Sequence, residues 1–331
     1  MVTEFFYSLL VYSCFSSGTP GHAMRPLTPV AALPVARFRR TATPATPCFI
    51  LPFLLLALVT LGPACAEEIA VELPQGGQAL ARFHAGSPSR PAILVLHGFL
   101  TSHHFNTVAS MVELLAEEGF TVLAPNLTLG ISKRRSGLPC DAIHTQGMEE
   151  DLAEIDFWVR WLENRGHREI VLVGHSMGSL QLVAYLAHRH PAAVRLLVAT
   201  SLTYFANPRV TPAEVIRRER ARAEALSARG DESPRRFSLS FCQGNYVSTP
   251  SAYLSYLRWD GDRLLAALQE IPIPRVVIMG GADDRFEADW RRRLEASGAR
   301  IIVIPGASHF FDDQFEFDLH DRLLEAVATL P

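Results

Sequence analysis

From Glu67 onward, short uninterrupted aliphatic runs alternate with longer stretches whose apolar positions recur every three or four residues. The first kind of run, apolar on both faces, predicts a buried strand. The second predicts a helix packed along one side. Strands are expected at 69–73 (IAVEL) and 79–85 (ALARFHA), joined by the turn Pro74-Gln75-Gly76-Gly77. Further strands are expected at 92–98, 120–126, 170–174, 195–201, 275–280 and 300–306. Helices are expected over 106–118, 147–165 and 314–330. In the second of these, Glu149, Glu150 and Asp151 occupy the first turn, where a helix favours negative charge, and Ile155, Trp158, Val159 and Leu162 share a face. Aliphatic strands separated by helices predict an α/β fold: a mostly parallel, doubly wound sheet of about eight strands, covered on both faces.

The alternation breaks at 203–274, after the sixth strand. No aliphatic strand appears there. Thr211-Pro212-Ala213-Glu214 reads as a capping box with proline at the first helical position. An Arg-rich helix with a solvated face should follow to about Arg229, ended by Gly230. Residues 203–274 are therefore expected to form a helical cap over one edge of the sheet, on a core made of 67–202 and 275–331.

Residues 1–66 differ from the rest. They are poor in acids and rich in Pro, Ala and Thr, and Arg37, Arg39 and Arg40 precede the apolar run from Cys48 to Gly62. A bilayer-spanning helix needs about 20 apolar residues, more than this run supplies. Basic flank, apolar centre and the ending Ala64-Cys65-Ala66 describe a secretory signal cut after Ala66, giving an exported protein, periplasmic or secreted. Lipid attachment at Cys65 and an uncleaved anchor are the alternatives. Met24 as the true start would remove the apolar piece that precedes it.

Of 31 basic and 34 acidic residues, four arginines and one acid lie before the proposed cut, so the remainder is net acidic by six. That balance gives no support to nucleic-acid binding. Only Cys140 and Cys242 follow the cut, and they could form one disulfide or remain two buried thiols.

The stretch VLVGHSMGSL, 171–180, carries the chemistry. A strand stops at Gly174, Ser176 lies between Gly174 and Gly178, and a helix begins. In this G-x-S-x-G turn the serine takes a strained backbone conformation, and larger residues at the glycine positions would meet neighbouring backbone. A serine hydroxyl needs a base. His309, just past the last strand in IIVIPGASHFF, is the candidate; His320 is expected within a helix, and His97 and His175 belong to the turns themselves. The carboxylate that orients the base is Asp283 or Asp284, with Asp283 preferred because Gly280, three residues earlier, directly follows the strand. Attack on a carbonyl creates an oxyanion. The backbone N–H groups of Phe99, after His97-Gly98, and of Met177, after the serine, are the expected donors.

The segments HGF, GHSMG, GGADD and GASHF together resemble the α/β-hydrolase superfamily over most of residues 80–330. The resemblance implies a Ser–His–Asp mechanism through an acyl-enzyme, no metal or organic cofactor, and a cap that shapes the pocket. It points to a carboxylic ester or thioester, a small-molecule or lipid-like acyl substrate, as the target. Acyl transfer and peptide cleavage would use the same triad, and a catalytically silent binding protein would have lost part of it. One departure is PNLTLGISKRRSG, where Asn126 stands in place of the aspartate of many capped members. In that loop Lys133, Arg134 and Arg135 are either solvated or able to attract an anionic substrate.

Overall fold

The computed structural model describes residues 66–330. Its main sheet has eight strands: β1 (Glu67–Glu72), β2 (Gln78–His84), β3 (Ala92–Leu96), β4 (Thr121–Asn126), β6 (Ile170–His175), β7 (Val194–Thr200), β10 (Arg275–Gly280) and β11 (Arg300–Ile304). A short strand, β5 (Ile143–His144), lies outside it, as do β8 (Arg235–Leu239) and β9 (Cys242–Ser248). The sheet order is β1-β2-β4-β3-β6-β7-β10-β11. β1 and β2 pair antiparallel, as do β2 and β4, while the other pairs are parallel.

Alternation along the central strands fills two cores. Ile93, Val95, Val171, Val173 and Val198 face α1 (Asn106–Glu117) and α8 (Phe315–Val327). Leu94, Leu96, Leu172 and Leu197 face α2 (Met148–Asn164) and α3 (Met177–His188). On α2, Ile155, Trp158, Val159 and Leu162 are all fully buried. Because both faces are covered, these strands are apolar without interruption.

From β3 the chain moves outward to β4, then crosses back to place β6 on the other side of β3. That reversal opens a crevice at the carboxyl ends of β3 and β6, where open α/β sheets bind ligands.

The segment between β7 and β10 departs from expectation in two ways. It contains α4 (Ala213–Ser227), α5 (Pro250–Leu257) and α6 (Gly261–Glu270), but also the antiparallel hairpin β8–β9, whose β9 pairs with β5. The hairpin's signal is an alternation of polar and buried residues, with Cys242, Tyr246 and Ser248 inward and Gln243 and Asn245 outward. The capping box is also absent. Pro212 is the N-cap of α4 without a side-chain bond, and the Thr211 hydroxyl donates instead to the Ser240 carbonyl at 2.7 Å.

Cys140 and Cys242 form a disulfide with a Cα–Cα distance of 5.6 Å. It ties the loop before β5 to the start of β9, reinforced by the Val247 N–H donating to the Cys140 carbonyl at 3.2 Å. A link across 102 residues restricts the unfolded chain strongly. Cys140→Ser/Cys242→Ser should therefore lose about 2–5 kcal/mol of stability. Denaturant unfolding of the oxidised and reduced protein, compared with the double variant, measures it.

Asp151 joins the same region to the core. Its Oδ2 accepts from Gln181 Nε2 of α3 at 2.7 Å and from the Tyr256 hydroxyl of α5 at 2.8 Å. Burial, with Glu154 and Glu150 nearby, outweighs those two bonds and pushes the carboxyl up to about 8. The unfolded chain releases this proton near pH 4, by about the ordinary carboxylate value. Between there and the folded value the native state holds the extra proton, so stability falls as pH rises and the loss is complete above about 8. Asp151→Asn should flatten that decline, as read by unfolding midpoints at about pH 5 and pH 9.

Candidate active site

Ser176 lies at the junction of β6 and α3 with φ 55° and ψ −122°, a left-handed conformation that serine rarely takes. Its N–H donates to the Thr200 carbonyl at 2.9 Å, which holds the turn against β7. The flanking glycines are dictated by contact. A Cβ on Gly174 would stand 2.6 Å from Ser179 Cα, and one on Gly178 would stand 2.3 Å from the His97 carbonyl oxygen. The loop after β3 thus rests directly on the start of α3.

His309 arrives from the loop after β11. Its Nε2 is 2.9 Å from Ser176 Oγ, and its Nδ1 is 2.6 Å from Asp283 Oδ2. The Asp283 side chain is fully buried, and its Oδ1 accepts the Arg285 N–H at 3.0 Å. An ionised carboxylate accepts from Nδ1–H, which leaves the Nε2 lone pair facing the serine hydroxyl. Asp284 is exposed and meets none of these groups through its side chain. Gly280 brings the two loops together: a Cβ there would lie 2.3 Å from the Ser308 carbonyl oxygen.

The loop after β3 is fixed from behind. His97 Nε2 accepts from the Leu127 N–H at 3.1 Å and from the Arg134 guanidinium at 2.7 Å, so its proton is on Nδ1 and is donated to the Gly98 carbonyl at 2.8 Å. Burial, then Arg134, keeps this ring neutral, well below the usual histidine value. The Gly98 carbonyl is also held by the Thr101 hydroxyl at 3.1 Å. Among the described residues, neither the Phe99 nor the Met177 N–H has a protein acceptor. Met177 is the first residue of α3, where backbone N–H groups have no partner within the helix.

Arg134 differs from both expectations for its loop. It is 3% exposed and also donates to the carbonyls of Leu127, Thr101 and Ser136 at 2.6–2.8 Å. It braces the β3 loop from within. Lys133 is exposed, and Arg135 pairs with Glu68. Asn126 takes part in the same bracing, accepting the His103 N–H at 2.8 Å and donating to the Arg134 carbonyl at 3.0 Å. An amide can do both, which a carboxylate cannot.

His175 is neutral too, by burial and by the charges of His309 and Arg285. It packs edge-on to His309 at 5.4 Å between ring centres. Within the candidate site it is a wall.

A pocket of about 300 Å³ opens over Ser176 and His309. Phe99, Phe105, Phe310, Met177 and Val210 make it largely apolar, and Ser240 and Phe241, next to the disulfide, bring the β8–β9 turn to its wall. Arg285 also lines it, a residue that sequence reasoning did not single out. Its place two residues after Asp283 was visible, but nothing local reveals which way its side chain turns.

A sequence model of the Alpha/beta hydrolase family matches residues 93–318. No curated protein matches the chain significantly. Among solved structures, the thioesterase domain from the curacin biosynthetic pathway superposes with a TM-score of 0.55 at 19% identity, covering 80% of this chain and 100% of that one. Est1E from Butyrivibrio proteoclasticus gives 0.55 at 15% identity, covering 79% and 99%. A monoacylglycerol lipase from Paleococcus ferrophilus gives 0.55 at 20%, covering 80% and 99%. At these identities the likeness shows a shared fold.

Proposed function

Since the chain belongs to the alpha/beta hydrolase family, we propose that it hydrolyses carboxylic esters, thioesters included, with Ser176 as nucleophile. The observation that carries this reading is the hydrogen-bonded line from Ser176 through His309 to buried Asp283, with steps of 2.9 and 2.6 Å, at the floor of an apolar pocket. Several structural neighbours named as esterase, thioesterase or lipase lend support.

In this mechanism Ser176 Oγ attacks the ester carbonyl carbon while its proton passes to His309 Nε2. Asp283 stabilises the resulting imidazolium and keeps the ring in its working tautomer. The carbonyl oxygen becomes an oxyanion between the Phe99 and Met177 N–H groups, each worth about 3 kcal/mol in the transition state. Collapse breaks the bond to the leaving group, which takes the proton from His309, and leaves an acyl-serine. Water then attacks the acyl carbon, giving its proton to His309. The second collapse releases the carboxylic acid and returns the proton to Ser176.

Residues 203–274 act as a cap whose hairpin side limits the pocket. We place the protein outside the cytosol. The proposed signal lies at residues 1–66, of which 1–65 are outside the described residues. The Cys140–Cys242 disulfide supports export, because such bonds persist mainly in oxidising compartments. Among the described residues no helix is long and apolar enough to cross a membrane. N-terminal sequencing of the exported protein should begin at Glu67; a different first residue would move or remove the cut.

Labelling by a fluorophosphonate tests the catalytic reading. The folded wild type should react covalently and stoichiometrically. A folded protein that stays unlabelled and turns over no ester removes it.

A further inference from the structure

Fully buried charges are normally paired. Arg285 is partly buried in the wall of the pocket over Ser176, and its guanidinium has neither a carboxylate nor a carbonyl partner among the described residues. Among the described residues no acidic side chain lines that pocket, and its two histidines, His175 and His309, are the only other ionisable groups there. The guanidinium lies over the Phe310 ring, 4.5 Å from its centre, and that ring touches both His309 and Phe105. That contact with the ring uses none of the group's N–H donors, which stay available for two parallel bonds.

The backbone of Arg285 is also fixed at both ends. Its N–H donates to Asp283 Oδ1 at 3.0 Å, and its carbonyl accepts from Asn207 Nδ2 at 2.8 Å. The residue is therefore tied to the same carboxylate that orients His309. A cation held this way is prepared for a partner that the protein itself does not supply.

We propose that Arg285 recognises an anionic group on the substrate, so that the preferred esters carry a carboxylate in addition to the bond that is cut. The inference rests on the esterase reading and adds a substrate class to it. Arg285 acts in binding, and the carboxylate it holds undergoes no reaction. The anion could belong to the acyl chain or to the leaving group, and the two arms of the test separate these.

The acyl arm compares mono-nitrophenyl glutarate with neutral nitrophenyl pentanoate. The leaving-group arm compares para-carboxyphenyl acetate with para-carbamoylphenyl acetate. In one arm the wild type should favour the charged ester in kcat/KM, and Arg285→Met should lower the charged-to-neutral ratio about 10- to 100-fold, the range for a bond to a charged group. Arg285→Lys should recover part of that ratio. A wild-type ratio at or below one in both arms, or a ratio unchanged in Arg285→Met, overturns the proposal while leaving ester hydrolysis standing.

Calorimetric binding of phenylbutyrate and of its neutral amide to the full protein supplies an independent reading. The acid should bind more tightly than the amide, and the difference should disappear in Arg285→Met of unchanged melting temperature. If no ester is cleaved and fluorophosphonate does not label, the esterase reading fails and this calorimetric difference alone decides for or against an anion site. Equal binding of acid and amide to the wild type overturns it.

Discussion

Ser176→Ala should abolish fluorophosphonate labelling and lower kcat by about 10⁵- to 10⁶-fold, the scale of nucleophile loss in a serine hydrolase. The residual rate would come from the oxyanion donors and substrate binding, neither of which needs the hydroxyl. The fold should persist, because the turn is held by the Ser176 N–H on Thr200 and by the close approach of Gly178 to the β3 loop, which are backbone contacts. Activity assays together with the melting temperature separate chemistry from unfolding. A companion variant reads the strain directly. At φ 55° a glycine is at ease where serine is not, so Ser176→Gly should lose the same activity yet gain about 1 kcal/mol of stability. An active Ser176→Ala protein would end the mechanism.

Asp283→Asn should reduce kcat by about 10⁴-fold, whereas Asp284→Asn should change it by less than about twofold. The contrast follows from geometry. Asp283 is buried with one oxygen on His309 Nδ1 and the other on the Arg285 N–H. An asparagine there can present its NH₂ to Nδ1, which moves the ring proton to Nε2 and turns a base into a donor facing the serine. Asp284, one residue on, is exposed. Steady-state kinetics on a single chromogenic ester distinguish the two, and the reverse ranking would transfer the acid to Asp284.

The sheet was readable because its strands are local objects. IVLVG at 170–174 and AILVL at 92–96 have no polar position to offer solvent, so they predict burial on both faces before any partner is known. The hairpin β8–β9 was not readable in the same way. Its strands mix Arg, Ser, Gln and Gly with only a few inward residues, and what stabilises them is a partner strand, Ile143–His144, about a hundred residues earlier. The Thr211 box failed for a related reason. Its hydroxyl found a better-placed acceptor in Ser240, outside its own helix. Arg134 looked like one of three surface cations in KRR, yet four acceptors converge on it from three separate stretches of chain.

Local residue pattern alone fixes the order of the main-sheet strands and of the helices that cover them, the sharp turn around Ser176, and the presence of an imidazole and an acid at the ends of late strands. Each depends on neighbours within a few residues, where hydrophobic period and glycine tolerance act. Only the tertiary structure decided which aspartate meets His309, that Arg134 points inward, and that Arg285 faces the pocket unpaired. Those outcomes depend on side-chain direction and on groups far apart along the chain, and distance in space is not written in any local run of residues.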